Sequence, residues 1–465
     1  MPETLTGTVP AGWELTTLGG VCERGGGDIQ TGPFGSQLHA SDYVSAGIPS
    51  IMPQNIGDNR VVADGIARIS EADARRLDRY LVRPGDIVYS RRGDVERRAL
   101  IRDEQDGWLC GTGCLRVRLG TGVVDPAFAA FYLAHPAVRA WITQRAVGAT
   151  MPNLNTAILS AVPFLLPPLP EQHRIASILG SLDDKIELNR RMNQTLESVA
   201  RAIFRSWFVD FDPVRKKMEG TTGGQLGLPR SLAALFPSTL VASILGPIPE
   251  GWRVSEIGQE VQAVGGSTPS TANEAYWNGA IAFATPKDLA GLSAPVLLHT
   301  ERLITEAGAA TISSGVLEPG VVLMSSRAPI GYLALNEVPV CVNQGFIAMR
   351  CQGALSGHYV LHWARSSMES IRGNANGTTF LEISKRNFRP LPVLVPPPSL
   401  VDRFTAVADG LHQRVVGNVR ENETLVDMRD ALLPRLLDGR LRARSGLSLT
   451  NQAVVAGADG IGTEL

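Results

Sequence analysis

Between residues 170 and 212 the apolar positions fall alternately four and three apart: Ile175, Leu179, Leu182 and Ile186, then Leu196, Ala200, Ile203 and Trp207. Such a seam, with a mean step of about 3.5 residues, is the signature of a coiled coil. Two asparagines, Asn189 and Asn193, occupy the middle of it. The stretch 399–444 repeats the pattern with Phe404, Ala408, Leu411, Val415, Asn418, Asn422, Leu425, Arg429, Leu432 and Leu436. Proline runs precede both stretches. Pro170 suits the first turn of the first helix, and Ser399 with Asp402 forms a capping box for the second. Outside the helices the pattern changes to short β-like runs, "GDIVYS", "CLRVRL", "GVVLMS" and "FIAMRC", bounded by glycine and proline. Helical stretches at "PAFAAFYLAHPAVRAWITQR" and "SGHYVLHWARSSMESI" make each such region mixed α and β.

The chain is a duplication. "GWELTTLG" recurs as "GWRVSEIG", and "LVRPGDIVYSRRG" resembles "VLEPGVVLMSSRA". Gly148 and Gly377, Pro163 and Pro392, Pro167 and Pro396, Asn189 and Asn418, Asn193 and Asn422, and Leu196 and Leu425 all stand 229 positions apart. One register held across a loop, a strand and a helix marks a repeated unit. The expected organisation is a first globular part at 1–169, a long helix at 170–212, and a connector with one short helix at 213–247. A second globular part follows at 248–398, a second long helix at 399–444, and a loosely held tail at 445–465.

A pseudo-twofold relation between repeats makes the long helices antiparallel, so the asparagines meet at mid-span. Buried asparagine in a seam costs stability and fixes register. A helix of about 35 residues is roughly 50 Å long. That spaces two heads by about one to one and a half turns of duplex DNA, at roughly 3.4 Å per base pair. Similar but non-identical heads on a rigid spacer suit a ligand with two separated half-sites, and duplex DNA is the obvious one.

Bulk properties narrow this only slightly. The 465 residues exceed one ordinary domain, 44% are hydrophobic, and no apolar run is long enough to span a bilayer. The N-terminus lacks a secretion signal, and five sparse cysteines fit a reducing cytoplasm. A net charge of −1 means that any affinity for DNA rests on local basic patches or on partner subunits.

Catalytic motifs are missing. There is no GxxxxGK[ST] phosphate loop and no Asn-Pro-Pro-aromatic or Asp-Pro-Pro-aromatic motif. Cys110 and Cys114 lack the second pair that a zinc site needs. Basic and polar loops are the better candidates. Arg91 and Arg92 follow one probable strand and Arg327 the equivalent one, where arginine can contact phosphates or guanine edges. Gln30, Gln37, Ser267 and Thr268 lie in glycine-bearing loops, and Thr150, Asn153, Thr378 and Thr379 near the ends of the globular parts. Turn chemistry is the competing explanation for these polar residues.

Taken together, "PLPEQHRIASILGSLDDKIELNRRMNQTLESVARAIFRSWFVDFDPV", "GPFGSQLHASDYVSAGIP", "GPIPEGW" and "YWNGAIAFATPKDL" resemble the DNA-specificity subunit of type I restriction-modification enzymes. The likeness runs from about Trp13 to about Leu441. It implies an α+β fold: two mixed α/β target-recognition domains, separated by two long helices that pair as an antiparallel coiled coil. It further implies a chain without its own catalytic centre or cofactor, reading a bipartite site in double-stranded DNA. Two modification subunits would bring S-adenosylmethionine and methylate adenine, and two motor-nuclease subunits would bring ATP and Mg2+. Faces around Arg190, Arg191, Glu197 and Arg201 are the implied docking surface. Arg429 in place of Ala200, and "PPPSLVDRF" without the Glu-Gln of "PPLPEQHRI", reduce the symmetry of the two docking surfaces. The alternatives are a self-contained DNA-modifying enzyme, which the missing motifs disfavour, and a two-headed protein scaffold, which would show no salt-dependent DNA binding.

Overall fold

A computed structural model describes residues 9–148, 152–220, 227–327, 329–377 and 381–442. They form two compact units: unit 1 is the chain up to Ile186 and again from Glu423, and unit 2 is Glu187–Asn422. Each unit therefore contains one globular head and part of both long helices.

The head of unit 1 begins with β1 (Glu14–Thr17), β2 (Asp28–Thr31), β3 (Tyr43–Val44), β4 (Ile48–Ile51) and β5 (Asp58–Asn59). It continues with β6 (Ala67–Ile69), β7 (Ile87–Ser90), β8 (Arg98–Leu100), β9 (Leu109–Cys110), β10 (Cys114–Arg118) and β11 (Pro163–Leu166). A five-stranded sheet has the order β2-β10-β7-β8-β5, and a four-stranded sheet the order β3-β6-β4-β9. Strands β1 and β11 pair antiparallel, Glu14 opposite Leu166, and so close the head where the first long helix begins. Central β7 reads "IVYS" with all four residues buried, as a strand covered on both faces should.

Unit 2 first adds a hairpin, β12 (Leu240–Ser243) and β13 (Gly246–Pro249), then β14 (Arg253–Glu256), β15 (Gln262–Val264), β16 (Trp277–Ala284) and β17 (Val296–Leu297). β18 (Arg302–Ile304), β19 (Val322–Ser325), β20 (Leu333–Asn336), β21 (Val340–Val342), β22 (Phe346–Arg350) and β23 (Pro392–Val395) complete it. Its five-stranded sheet runs β15-β22-β19-β20-β17, the first head's order strand for strand. In both sheets the last pair, β8 with β5 and β20 with β17, is parallel. The smaller sheets correspond too: β4 lies between antiparallel β6 and parallel β9, and β16 between antiparallel β18 and parallel β21. Pairing of β14 with β23 closes the second head as β1 and β11 close the first. The duplication read from the 229-residue interval is thus a duplication of topology.

The long helices are Leu169–Phe208 and Pro398–Leu437. Each starts on a proline carbonyl: Pro168 accepts from the backbone of Glu171 and Gln172, and Pro397 from that of Leu400 and Val401. Ser399 is consequently already inside the second helix, and the capping box expected there does not form. Both helices also stop earlier than expected. The first ends at Phe208 because Phe211 turns left-handed (φ 56°), and Asp212–Met218 then forms a separate helix. Gly439 (φ 68°) ends the second, with Leu441 N donating to Arg435 O. The connector holds two short helices, Asp212–Met218 and Arg230–Ala233, plus the hairpin, instead of one helix. Residues 445–465 lie outside the described residues.

Much of the seam, with residues beside it, becomes core. In unit 1, Ile175 and Leu179 of the first helix and Leu433 and Leu436 of the second join Trp13 and Phe164 of the head. In unit 2, Phe204, Trp207 and Phe208 pack with Phe404, Tyr359 and Trp252. Ring centroids there lie 5.0 Å apart for Phe208 and Tyr359, and 5.3 Å for Phe208 and Phe404. Among the described residues no helix is long and apolar enough to cross a membrane.

Candidate nucleic-acid interface

In the first head, the chain leaves β7 through Arg91 and Arg92 and meets the segment that precedes the first long helix. Arg91 N donates to Gly113 O (2.8 Å), and Leu154 N donates to Arg91 O (2.8 Å). Arg92 lies opposite Asn153 in an antiparallel bridge, and Asn153 bridges to Val147 on its other side. Three segments, 91–93, 147 and 152–154, are therefore laced together by backbone bonds, with Arg92 exposed at the join. Among the described residues Arg91 Nε and Asn153 Oδ1 are buried atoms without a hydrogen-bond partner.

A glycine-bearing loop lies beside them. A Cβ on Gly32 would stand 2.2 Å from Gly111 O, so only glycine allows the loop to approach the end of β9. Gln37 Oε1 accepts from Phe34 N (3.1 Å) and from the Tyr80 hydroxyl (2.9 Å). Gln30, on β2, accepts from Arg116 Nη2 (3.1 Å), which also reaches Asp28. The side-chain oxygens of both glutamines are thus engaged in holding the head's own structure. Phe34, which sequence reasoning passed over, is exposed, with the Arg91 guanidinium 5.8 Å from its ring.

The second head repeats the scaffold with other side chains. Arg327 bridges to Glu382, and Glu382 to Asn376, at the places of Arg92, Asn153 and Val147. Gly266 takes the part of Gly32, its missing Cβ 1.6 Å from Val342 O at the end of β21. Here, however, Arg327 Nη1 lies 3.9 Å from the Glu382 carboxylate. Thr268 donates to Gln344 Oε1 (2.9 Å), and Ser267 is half-buried beside it. Lys385, exposed, lies against Gly265. Thr150, Thr378 and Thr379 lie outside the described residues.

Between the helical segments of unit 2 the four asparagines meet in pairs. Asn189 Nδ2 donates to Asn422 Oδ1 (3.0 Å) and Glu421 Oε2 (2.8 Å), and Asn418 Nδ2 to Asn193 Oδ1 (2.7 Å). As one residue number rises its partner's falls, so these segments run antiparallel. Asn189, Asn193 and Asn418 are buried. Each pair works only in one alignment, because a shift by one residue would leave buried amides unpaired.

Several other candidates prove structural. Glu197 bonds Arg365 Nη1 at 2.7 Å and is largely covered, so it is not part of an open docking face; Arg191 and Arg201 are exposed. Gln172 is buried, accepting from Asp125 N and donating to Pro167 O, while Leu400 and Val401 fill the equivalent places as core. The Glu-Gln difference therefore concerns how each helix is anchored, Glu171 also accepting from Trp13 Nε1 (3.1 Å). Arg429 reaches Asp183 and Asp58, each at 3.0 Å. Burial works against its charge, but the carboxylates of Asp58 and Asp183 outweigh it and hold its pKa above the ordinary value. Cys110 and Cys114 are core residues: burial pushes the Cys110 thiol up to about 12, and the Cys114 thiol faces Ile51 O at 3.3 Å. Among the described residues no three His, Cys, Asp or Glu side chains gather as a metal would need.

Comparison with known proteins agrees with this geometry. The family model described as "Type I restriction modification DNA specificity domain" matches residues 10–198 and 249–402, one stretch for each head. The type I restriction enzyme HindI specificity subunit of Haemophilus influenzae is 25% identical over 438 residues, covering 84% of this chain and 95% of its own. The MjaIX specificity subunit of Methanocaldococcus jannaschii is 22% identical over 448 residues, with coverage of 95% and 96%. A solved structure of the type I restriction-modification S subunit from M. genitalium aligns over 94% of this chain and 98% of its own, with a TM-score of 0.54 at 15% identity, a likeness of fold.

Proposed function

The chain belongs to the family of type I restriction-modification DNA-specificity subunits, and from that premise we propose that each head reads one half of a bipartite duplex site. A specificity subunit is non-catalytic, and the catalytic activities lie in partner subunits. In this reading two modification subunits carry S-adenosylmethionine and methylate one adenine in each half-site. Two restriction subunits carry ATP and Mg2+, and the assembly works in the cytoplasm.

The observation that carries the reading is the repeated bridge: Arg92 opposite Asn153 and Arg327 opposite Glu382, each beside a glycine-cradled loop. Backbone bonds fix the arginines, and the side chains that differ between heads are those free to differ in what they contact. In duplex DNA, arginines serve phosphates and guanine edges, and amides serve adenine. The asparagine pairs keep the helical register, and with it the interval between half-sites.

The test is an adenine-methylation map of the host genome with and without this gene. One bipartite motif with two methylated adenines should disappear on deletion. An unchanged map, together with no salt-dependent DNA binding by the chain and its modification subunits, would favour a scaffold.

A further inference from the structure

We propose that Phe34 is an aromatic base-contact residue of the first head, serving one half-site only; this rests on the reading of the heads as duplex-DNA binders. Phe34 is 53% exposed, although its loop has burial to offer: Pro33 and Leu38 on either side are buried, Leu38 in a cluster with Tyr80 and Ile69. The loop is held from several directions. Phe34 N donates to Gln37 Oε1, Gln37 N and Leu38 N donate to Phe34 O (2.8 and 3.2 Å), and Arg76 Nη1 reaches Gln37 O (2.8 Å). Gly32 fixes its start against the end of β9. A single exposed phenylalanine is ordinary on its own, and it is the rigid tether together with the arginine against the ring that singles this one out.

The neighbouring chemistry names the ligand. Arg91 sits against the ring within cation–π range, and its Nε is without a partner among the described residues. Exposed Arg92 is next to it in the chain. An aromatic ring with one arginine against it and a second, exposed arginine next in the chain suits a polyanion with apolar surface between its charges. In duplex DNA the arginines face phosphates and the ring packs on bases, as apolar side chains do at base steps and thymine methyls. In the second head Thr268 stands two residues after the cradled glycine, as Phe34 does in the first, and it is bonded to Gln344. The aromatic contact is therefore private to the first half-site.

Ring and arginine contacts are separable by salt. A ring contact releases no counterions, whereas loss of a phosphate contact flattens the salt dependence by about one unit of log K against log[salt]. The full complex with its modification subunits is titrated with duplex carrying the methylated motif at several salt concentrations. Phe34→Ala should weaken binding about tenfold with the wild-type slope, comparable with loss of one base contact. Phe34→Trp should keep affinity within about threefold of wild type, and circular dichroism of each variant reports its folding. A folded Phe34→Ala complex within twofold of wild type overturns the proposal. So does a loss accompanied by a flatter slope, since Phe34 would then act only through Arg91. If the wild-type complex itself binds without salt dependence, the reading of the heads as DNA binders fails first and takes this proposal with it.

Discussion

The two heads share a backbone plan strand for strand and differ in what they attach to it. At the tip, the first exposes Arg92 and Phe34 beside half-buried Arg91 and Asn153, while the second ties Arg327 towards Glu382 and Thr268 to Gln344. At the base, the first head adds ions to the apolar packing on its helices, Arg429 joining Asp183 of the first helix to Asp58 at the end of its sheet. The second packs them with rings, Phe204 and Phe208 lying on Phe404 and Tyr359, beside the Arg365–Glu197 ion pair. After duplication, glycine cradles, bridges and sheet order were constrained by the backbone. Tips and bases had only to fill the same space, so they could change chemistry.

This contrast can be broken at its strongest point by Phe404→Ala. Phe404 is fully buried against several rings, and its loss should cost about 3–5 kcal/mol, read from denaturant unfolding of the chain or its complex. Arg429→Ala attacks the other base. It leaves Asp183 covered and facing Asp58 without a cation, at a cost of roughly 2–4 kcal/mol, whereas Arg429→Met with Asp183→Leu should recover most of that.

Acid probes the second base directly. His362 stacks on Phe204 at 5.7 Å, and burial, reinforced by Arg365 and His358, lowers its pKa from 6.5 to about 3. It is neutral in the fold, while the unfolded chain takes up a proton below about 6.5. Between those values the unfolded state binds more protons, so stability rises with pH and is lost as pH falls. The expected slope is about 1 kcal/mol per pH unit for this group, and it should be absent in His362→Phe. The smallest effects belong to the tips. Arg92→Ala should flatten the salt dependence of DNA binding by about one unit, and Glu382→Gln should steepen it by less, having released Arg327.

What was legible in the sequence follows the same division. The constant interval exposed the repeat, and the seam gave core residues such as Ile175, Leu179, Phe404 and Leu436 because helical periodicity is local information. The asparagine pairs followed from symmetry alone. The ring cluster did not, since Phe204 and Phe208 lie beside the seam and their partner Tyr359 comes from a distant helix. The capping box failed because a proline carbonyl started the helix one residue before Ser399. At the tip, Gln30 and Gln37 resembled readers by composition, yet tertiary partners occupy their oxygens. Phe34 went unnoticed for the converse reason: a phenylalanine in sequence suggests core, and only the fold shows it outside. "GPFGSQ", with a large apolar residue between two glycines, was the available signal.

Pro10 lies against Gly439, and Arg442 Nη2 donates to Ala11 O (3.3 Å), so the two outer ends of the described chain touch within unit 1. Unit 2, by contrast, is entered and left through the long helices. The described path of the polypeptide thus returns, within unit 1, to where it began. A chain joined by a short link between those ends and opened instead in the connector, between Gly220 and Gly227, would pass through the same elements in the same spatial order. Which half-site is read by the "first" head would then be a fact about where translation starts and would say nothing about the protein's architecture.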